Sequence, residues 1–240
     1  MKRLVLTRPE PGASDSAAKA AALGIETLIM PLFEIERVKW RAPEETAFDA
    51  LLLTSANTLR HGGPELLRLR RLPVHAVGAA TAEAARLAGF SVASIGGAGV
   101  DALLAGLARG IRLLHPGGED RTPPQAHGAH ITPITVYRAA PLAPDSAALA
   151  SLPGTVIALH SRRAGQRLAS LVADRATISL VADRATIPLV ADRATISVVA
   201  LSPDAAADTG PGWHHLAIAA RPTDTALLAL AAELCLESDQ

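Results

Sequence analysis

Short apolar runs, each closed by turn-forming residues, alternate along the chain with alanine-rich windows of helical period. That alternation is the pattern of βα units on parallel sheets, whose strands are buried on both faces and so read as continuous apolar runs. The strand candidates are Leu4–Thr7, Ile25–Met30, Ala50–Thr54, Val74–Val77, Ser91–Ile95, Ile111–His115, Val156–His160, Ser197–Leu201 and Leu216–Ala219. Helices are expected to fill the gaps between them. Gly24 and Gly89 each follow such a window, where glycine suits the left-handed residue after a helix end. Thr223 is placed to cap a last helix over Asp224–Leu236, with Asp224 in its positive first turn.

Two further segments, Leu32–Lys39 and His130–Arg138, read as extended where helices would be expected. If they pair, the chain leaves one lobe near Phe33, builds a second, and returns near Tyr137 to finish the first. The expected organisation is therefore a discontinuous lobe of residues 1–34 plus 140–240, a second lobe of 39–130, and linker strands 35–38 and 131–139. The alternation itself makes the whole chain α/β.

Near-identical nonapeptides interrupt the pattern: SLVADRATI from Ser170, the same from Ser179, and PLVADRATI from Pro188, so that 170–196 is a tandem repeat. A period of nine suits neither regular geometry, because in a strand an odd period flips the face from copy to copy. Pro188 also opposes one continuous helix. Solenoid units are longer, commonly about 20 residues or more, so the repeat reads as a slippage duplication with two surplus copies. The helix starting near Ser161 should run into the first copy and the last copy should feed the strand through Val199, with the rest bulging at the surface.

Composition narrows the function classes. Aromatic residues are 2% of the chain against 49% apolar, so the cores must be built from Ala, Leu, Val and Ile. Lys plus Arg equals Asp plus Glu at 23 each, which leaves no global field to attract nucleic acid or an anionic membrane. A single cysteine, Cys235, cannot form an internal disulfide, and the N-terminus carries no long apolar run, so a cytoplasmic protein is expected.

Eight segments, LTRPEPGASDSAAKAAALG, DALLLTSANTLRHG, VHAVGAATAEAARLAGF, GGAGVDALLAGL, ITVYRAAPL, ALHSRRAGQRLASLV, VVALSP and IAARPTDTALLALAAEL, resemble the uroporphyrinogen-III synthase family in order and spacing. The resemblance implies two flavodoxin-like parallel-sheet lobes joined by a two-stranded linker, with the active site in the cleft between them. It implies a monomer without metal or organic cofactor, acting on hydroxymethylbilane, a linear chain of four pyrroles bearing eight carboxylates. Loss of hydroxide from that substrate leaves an azafulvene cation. Attack by the substituted carbon of the far pyrrole and reclosure through a spiro intermediate then invert ring D. Protein must fold the chain so that its ends meet, protonate the leaving hydroxyl and exclude water. A transient hand-off from hydroxymethylbilane synthase fits so unstable a substrate.

Tyr137, the only tyrosine, falls at the family's tyrosine and is the catalytic candidate, its phenol a weak general acid. Thr54 with Ser55, and His160 with Ser161, end strands and open turns into helices, where open parallel sheets bind ligands. Their hydroxyls and the helix amides would hold carboxylates; ordinary N-capping is the alternative. Thr81, in Val77-Gly78-Ala79-Ala80-Thr81, matches a threonine that contacts the cleft in the family, with capping the alternative, and Gly78 is a substrate-binding candidate beside it. Arg8 and Arg162 suit an acetate or propionate, and Ser202 precedes Pro203 at the next such turn. Asp204 departs from the family's small hydroxyl residues and is expected to cap the following helix.

Other readings carry less. Gly97-Ala98-Gly99-Val100-Asp101-Ala102 fits a dinucleotide-loop pattern but lies mid-chain. His127-x-x-His130 has metal-like spacing without a third ligand nearby, and His214-His215 reads as a strand start. A non-catalytic two-lobed tetrapyrrole or small-molecule binder, a flavodoxin-type FMN protein, or an inactivated homologue are the alternative functions.

Overall fold

The computed structural model describes residues 1–172 and 192–236. These divide into two compact units, one of residues 1–34 and 141–240 and one of 35–140.

The discontinuous unit is a parallel sheet in the order β11 (His215–Ile218), β10 (Ser197–Ala200), β9 (Val156–Leu159), β1 (Leu4–Leu6), β2 (Thr27–Ile29). β1 pairs with β9 in the register Leu4 to Val156, Val5 to Ile157 and Leu6 to Ala158. Every residue of β1, β9 and β10 is buried, which is why these strands read as apolar runs, with Ser197 the one polar position. Edge strand β11 leaves Leu216 and Ile218 exposed. Helices α1 (Gly12–Ala22), α6 (Ser146–Ala150), α7 (Arg162–Leu171), α8 (Pro203–Ala206) and α9 (Asp224–Leu236) accompany this sheet. Leu227, Leu228 and Ala231 of α9 join Leu4, Leu6, Val156 and Val199 in one core. Thr223 Oγ1 accepts from the Ala226 amide at 3.3 Å, the cap expected for α9. Gly24 takes φ +75° after α1, the left-handed step that ends the helix.

The second unit holds a sheet ordered β3 (Phe33–Arg37), β8 (His130–Pro141), β7 (Arg112–Gly118), β4 (Ala50–Leu53), β5 (Val74–Val77), β6 (Val92–Gly96). The extended segments β3 and β8 are thus hydrogen-bonded neighbours within this sheet. β4 is buried throughout and feeds two cores by its period-two alternation. Leu51 and Leu53 meet Leu66, Val74, Ala82 and Phe90, while Ala50 and Leu52 meet Leu103, Leu104 and Leu113. Each leucine so enclosed contributes roughly 2 kcal/mol. Around the sheet run α2 (Asn57–His61), α3 (Gly63–Leu67), α4 (Ala79–Leu87) and α5 (Val100–Ala105). The connection from β7 to β8 corrects the expectation that helices fill every gap. Residues 119–129 contain no helix, because Pro123 and Pro124 remove two amide donors and force the preceding backbone out of the helical region.

The repeat meets the described chain at both ends. α7 stops at Leu171, inside the first copy, and Arg193–Thr195 of the last copy form a 3-10 turn before β10. The bulge expected between them lies outside the described residues. Arg193 joins the two ends: its Nε donates to Val172 O at 3.0 Å, its Nη2 to Ala169 O and its Nη1 to Pro211 O at 3.2 Å. Joining Val172 to Ala191 would recreate one uninterrupted SLVADRATI. The three residue steps from Val172 to Arg193 would then span up to roughly 10 Å, enough for the contact an arginine side chain already makes. Deletion of residues 173–190 is therefore expected to leave the fold intact and raise stability by about 1 kcal/mol through the shorter loop closure. Urea denaturation checks this, and an unfolded deletion variant would contradict it.

Candidate functional site

In the second unit, polar groups collect where β4 and β7 end. Thr54 follows β4, and its Oγ1 lies 3.2 Å from Nε2 of His115 in β7. His115 is 2% exposed. Burial, with the nearby Arg121 charge, pushes its imidazole down to about 4, so the ring is neutral at pH 7. Ser55 Oγ accepts from the Asn57 amide at 3.2 Å and so shapes the turn into α2. The buried Thr58 donates to Pro116 O at 3.1 Å, fastening α2 to the end of β7.

Gly117 and Gly118 close β7 and allow two side chains near. A Cβ on Gly118 would stand 2.8 Å from Tyr137 Cε2 and 3.1 Å from Cζ, so the tyrosine ring occupies the space that only glycine leaves. Tyr137, half-buried on β8, has its ring centroid 6.0 Å from that of His61. The His61 pKa is lowered by burial and by Arg37 and Arg60. Arg121 donates through Nη1 to Gly118 O and, at 3.4 Å, to Thr135 Oγ1. Thr54, His115, Gly118, Arg121 and Tyr137 thus form one neighbourhood. Gly78 stands at the corresponding end of β5, with φ +83° at the entrance to α4, and its amide donates to Gly96 O. A Cβ there would meet nothing within 4 Å, so backbone conformation rather than space calls for glycine. Thr81 is buried within α4.

The first unit has its own cluster at the ends of β1 and β9. Asp224 opens α9 and accepts hydrogen bonds from Lys19 Nζ at 2.7 Å, Ser16 Oγ at 2.9 Å, His160 Nε2 at 3.0 Å and Arg8 Nη1 at 3.3 Å. Burial pulls its pKa upward, yet the bonds from Lys19, His160 and Ser16 outweigh that and hold it at about 2. Burial lowers the His160 pKa against the pull of Asp224. A carboxylate can only accept, which puts the His160 proton on Nε2. Its Nδ1 is buried without a hydrogen bond among the described residues.

Ser161 and Ser202 are N-caps, of α7 and α8, accepting from the amides of Ala164 at 3.3 Å and Ala205 at 3.2 Å. Asp204 does not cap α8. With Pro203 in the first helical position, Ser202 takes the cap, and Asp204 lies in the first turn, 3.7 Å from Arg162. Arg162 is exposed and forks onto Asp208. His115, His61 and Arg121 were not singled out from sequence, and Asp224 was placed only as a first-turn residue of the last helix, not as a hub. Their only sequence signal is a polar residue at or just past a strand end for His115 and Arg121, in the last turn of a helix for His61 and in the first turn of a helix for Asp224. Among the described residues no three His, Cys, Asp or Glu side chains gather as a metal site, and no helix is long and apolar enough to cross a membrane.

One α/β unit inserted in sequence into another, each with hydroxyl, imidazole and guanidinium groups near its strand ends, defines a two-unit α/β protein with polar groups where open sheets commonly bind ligands. The family model described as uroporphyrinogen-III synthase HemD matches residues 14–229. The chain belongs to the uroporphyrinogen-III synthase family, cyclising lyases of tetrapyrrole and heme biosynthesis. The fold is similar to that of uroporphyrinogen-III synthetase from Helicobacter pylori 26695, at 18% identity and a TM-score of 0.64, covering 98% of this chain and 100% of that one. It is also similar to a mutant uroporphyrinogen III synthase from the extremely thermophilic bacterium Thermus thermophilus, at 18% identity and a TM-score of 0.51, again covering 98% and 100%. No curated protein matches the chain.

Proposed function

We propose that this chain converts hydroxymethylbilane to uroporphyrinogen III, losing water and inverting ring D. The observation that carries the reading is the family match over residues 14–229. In this reading Tyr137 donates a proton to the departing hydroxyl, from a ring seated against Gly118. Thr54, Ser55 and the turn at Gly78 and Thr81 receive substrate carboxylates. Ser161 and Ser202 accept from helix amides and so keep their hydroxyl hydrogens to donate to further carboxylates. Arg8 and Arg162 already hold Asp224 and Asp208 and Thr81 is buried, which makes these three the least available of the proposed contacts.

The reading takes the enzyme as a cytoplasmic monomer that needs no cofactor and receives substrate from hydroxymethylbilane synthase. Its one cysteine, Cys235, is buried and its thiol pushed up to about 11 by burial, far from a reactive thiolate.

The test is a coupled assay in which hydroxymethylbilane is generated enzymatically and the oxidised products are separated by chromatography. A dominant type III uroporphyrin is expected; product that stays type I, the spontaneous outcome, would leave a binding protein or inactivated homologue. Tyr137→Phe is expected to lower kcat roughly tenfold to a hundredfold, at or below the range for a general acid because the substrate supplies most of the electronics. An unchanged kcat would remove Tyr137 from the chemistry.

A further inference from the structure

The helix-free connection after β7 leaves a hollow of about 400 Å³ lying wholly within the second unit. Its lining includes His115, Arg121, Pro123, Pro124, Ile131 and Pro133. That volume is within the range of small-ligand pockets, roughly 300–1,000 Å³. The lining divides by chemistry. Proline rings and Ile131 give flat apolar surface, suited to the face of a planar ring. Against it stand the guanidinium of Arg121 and the His115 imidazole, whose Nε2 meets Thr54 Oγ1.

Arg121 commits Nη1 to Gly118 O and Thr135 Oγ1. Its Nε and Nη2 make no hydrogen bond among the described residues, leaving one edge of the fork for a carboxylate. Glu119 also lines the hollow, so the arm must sit on the Arg121 side, away from that carboxylate. The His115 ring contributes no charge at neutral pH. It can therefore hold the Thr54 hydroxyl in place without competing for the anion.

We infer that this hollow is a binding site for a flat heteroaromatic ring carrying a short carboxylate arm, with the arm on Arg121 and the ring against the prolines and Ile131. Under the function proposed above, the ring is one pyrrole of the substrate with its acetate or propionate, and Arg121 and His115 become positioning residues for it.

The test uses the full chain with isotope-labelled histidine, titrated with a monopyrrole bearing one acetate and one propionate, and separately with its dimethyl ester. The diacid is expected to shift the His115 ring signals, assigned by their loss in His115→Gln, while those of His75, bonded to Ser94, stay fixed as an internal check on folding. Arg121→Gln is expected to weaken the diacid at least tenfold, Arg121→Lys less, and the ester should leave the His115 signals unmoved. Equal binding of ester and diacid, an unweakened Arg121→Gln, or unmoved His115 signals at saturating diacid would each overturn the inference. Type III product formed by a protein whose His115 signals ignore the diacid would remove the site and keep the function. Diacid binding without type III product would keep the site and remove the function.

Discussion

Arg193→Ala is expected to lower unfolding free energy by about 3 kcal/mol, a loss reserved for buried groups with several partners. Arg193 is 9% exposed, donates to three backbone carbonyls and stacks its guanidinium 5.0 Å from the Trp213 ring centroid. Hydrogen bonds to charged groups contribute about 1.5–3 kcal/mol each before the lost partners find water. Two of the carbonyls, Ala169 and Val172, lie at the end of α7, which would fray without their donor. For a chain of this size such a loss lowers Tm by about 10 °C. Thermal unfolding checks it, with Arg193→Lys as the comparison, since an ammonium keeps the charge but not the fork. Unchanged midpoints in both variants would mean that the ends of the repeat are held by something else.

Asp224→Asn should cost about 2 kcal/mol at neutral pH and flatten the acid limb of the stability curve. The native carboxyl sits at about 2, below the unfolded value of about 3.9. Its contribution is therefore complete above the unfolded pKa and falls away as pH drops toward 2. Asparagine keeps the shape but gives Lys19, Arg8 and His160 no negative partner. Urea midpoints at neutral and acid pH, measured on both proteins, should converge as the pH falls. The pKa values of Asp49 and Asp208 are also lowered, by their arginine partners, but they titrate in both proteins and cancel in the comparison. Midpoints that differ equally at every pH would show that Asp224 acts through shape rather than charge.

The strands were legible because interior parallel strands leave so plain a trace. Ala50–Leu53, Val156–Leu159 and Val198–Ala200 are continuous apolar runs buried on both faces, and the edge strands drift from expectation by only a residue or two. Helix ends were legible where one residue decides them, as at Gly24 and Thr223. The polar clusters were not. Asp224 lies 216 positions from Arg8 and 64 from His160, and Thr54 lies 61 from His115, so their meeting depends on strand order, which no local pattern encodes. Ser202 and Asp204 compete for one cap, and the proline between them decides in favour of the serine.

The central place of β1 has a consequence for synthesis on the ribosome. Leu4, Val5 and Leu6 are wholly buried against a strand that begins at Val156, so β1 waits for about 150 more residues after it is made. At about 5–20 residues per second that is on the order of ten seconds. Residues 35–140 contain every strand of their own sheet except the first two residues of β3 and the last of β8, and can fold during that interval. The nascent chain therefore carries an apolar N-terminal unit of β1, α1 and β2, still lacking β9, past a finished neighbour, making it the segment on which a chaperone would act.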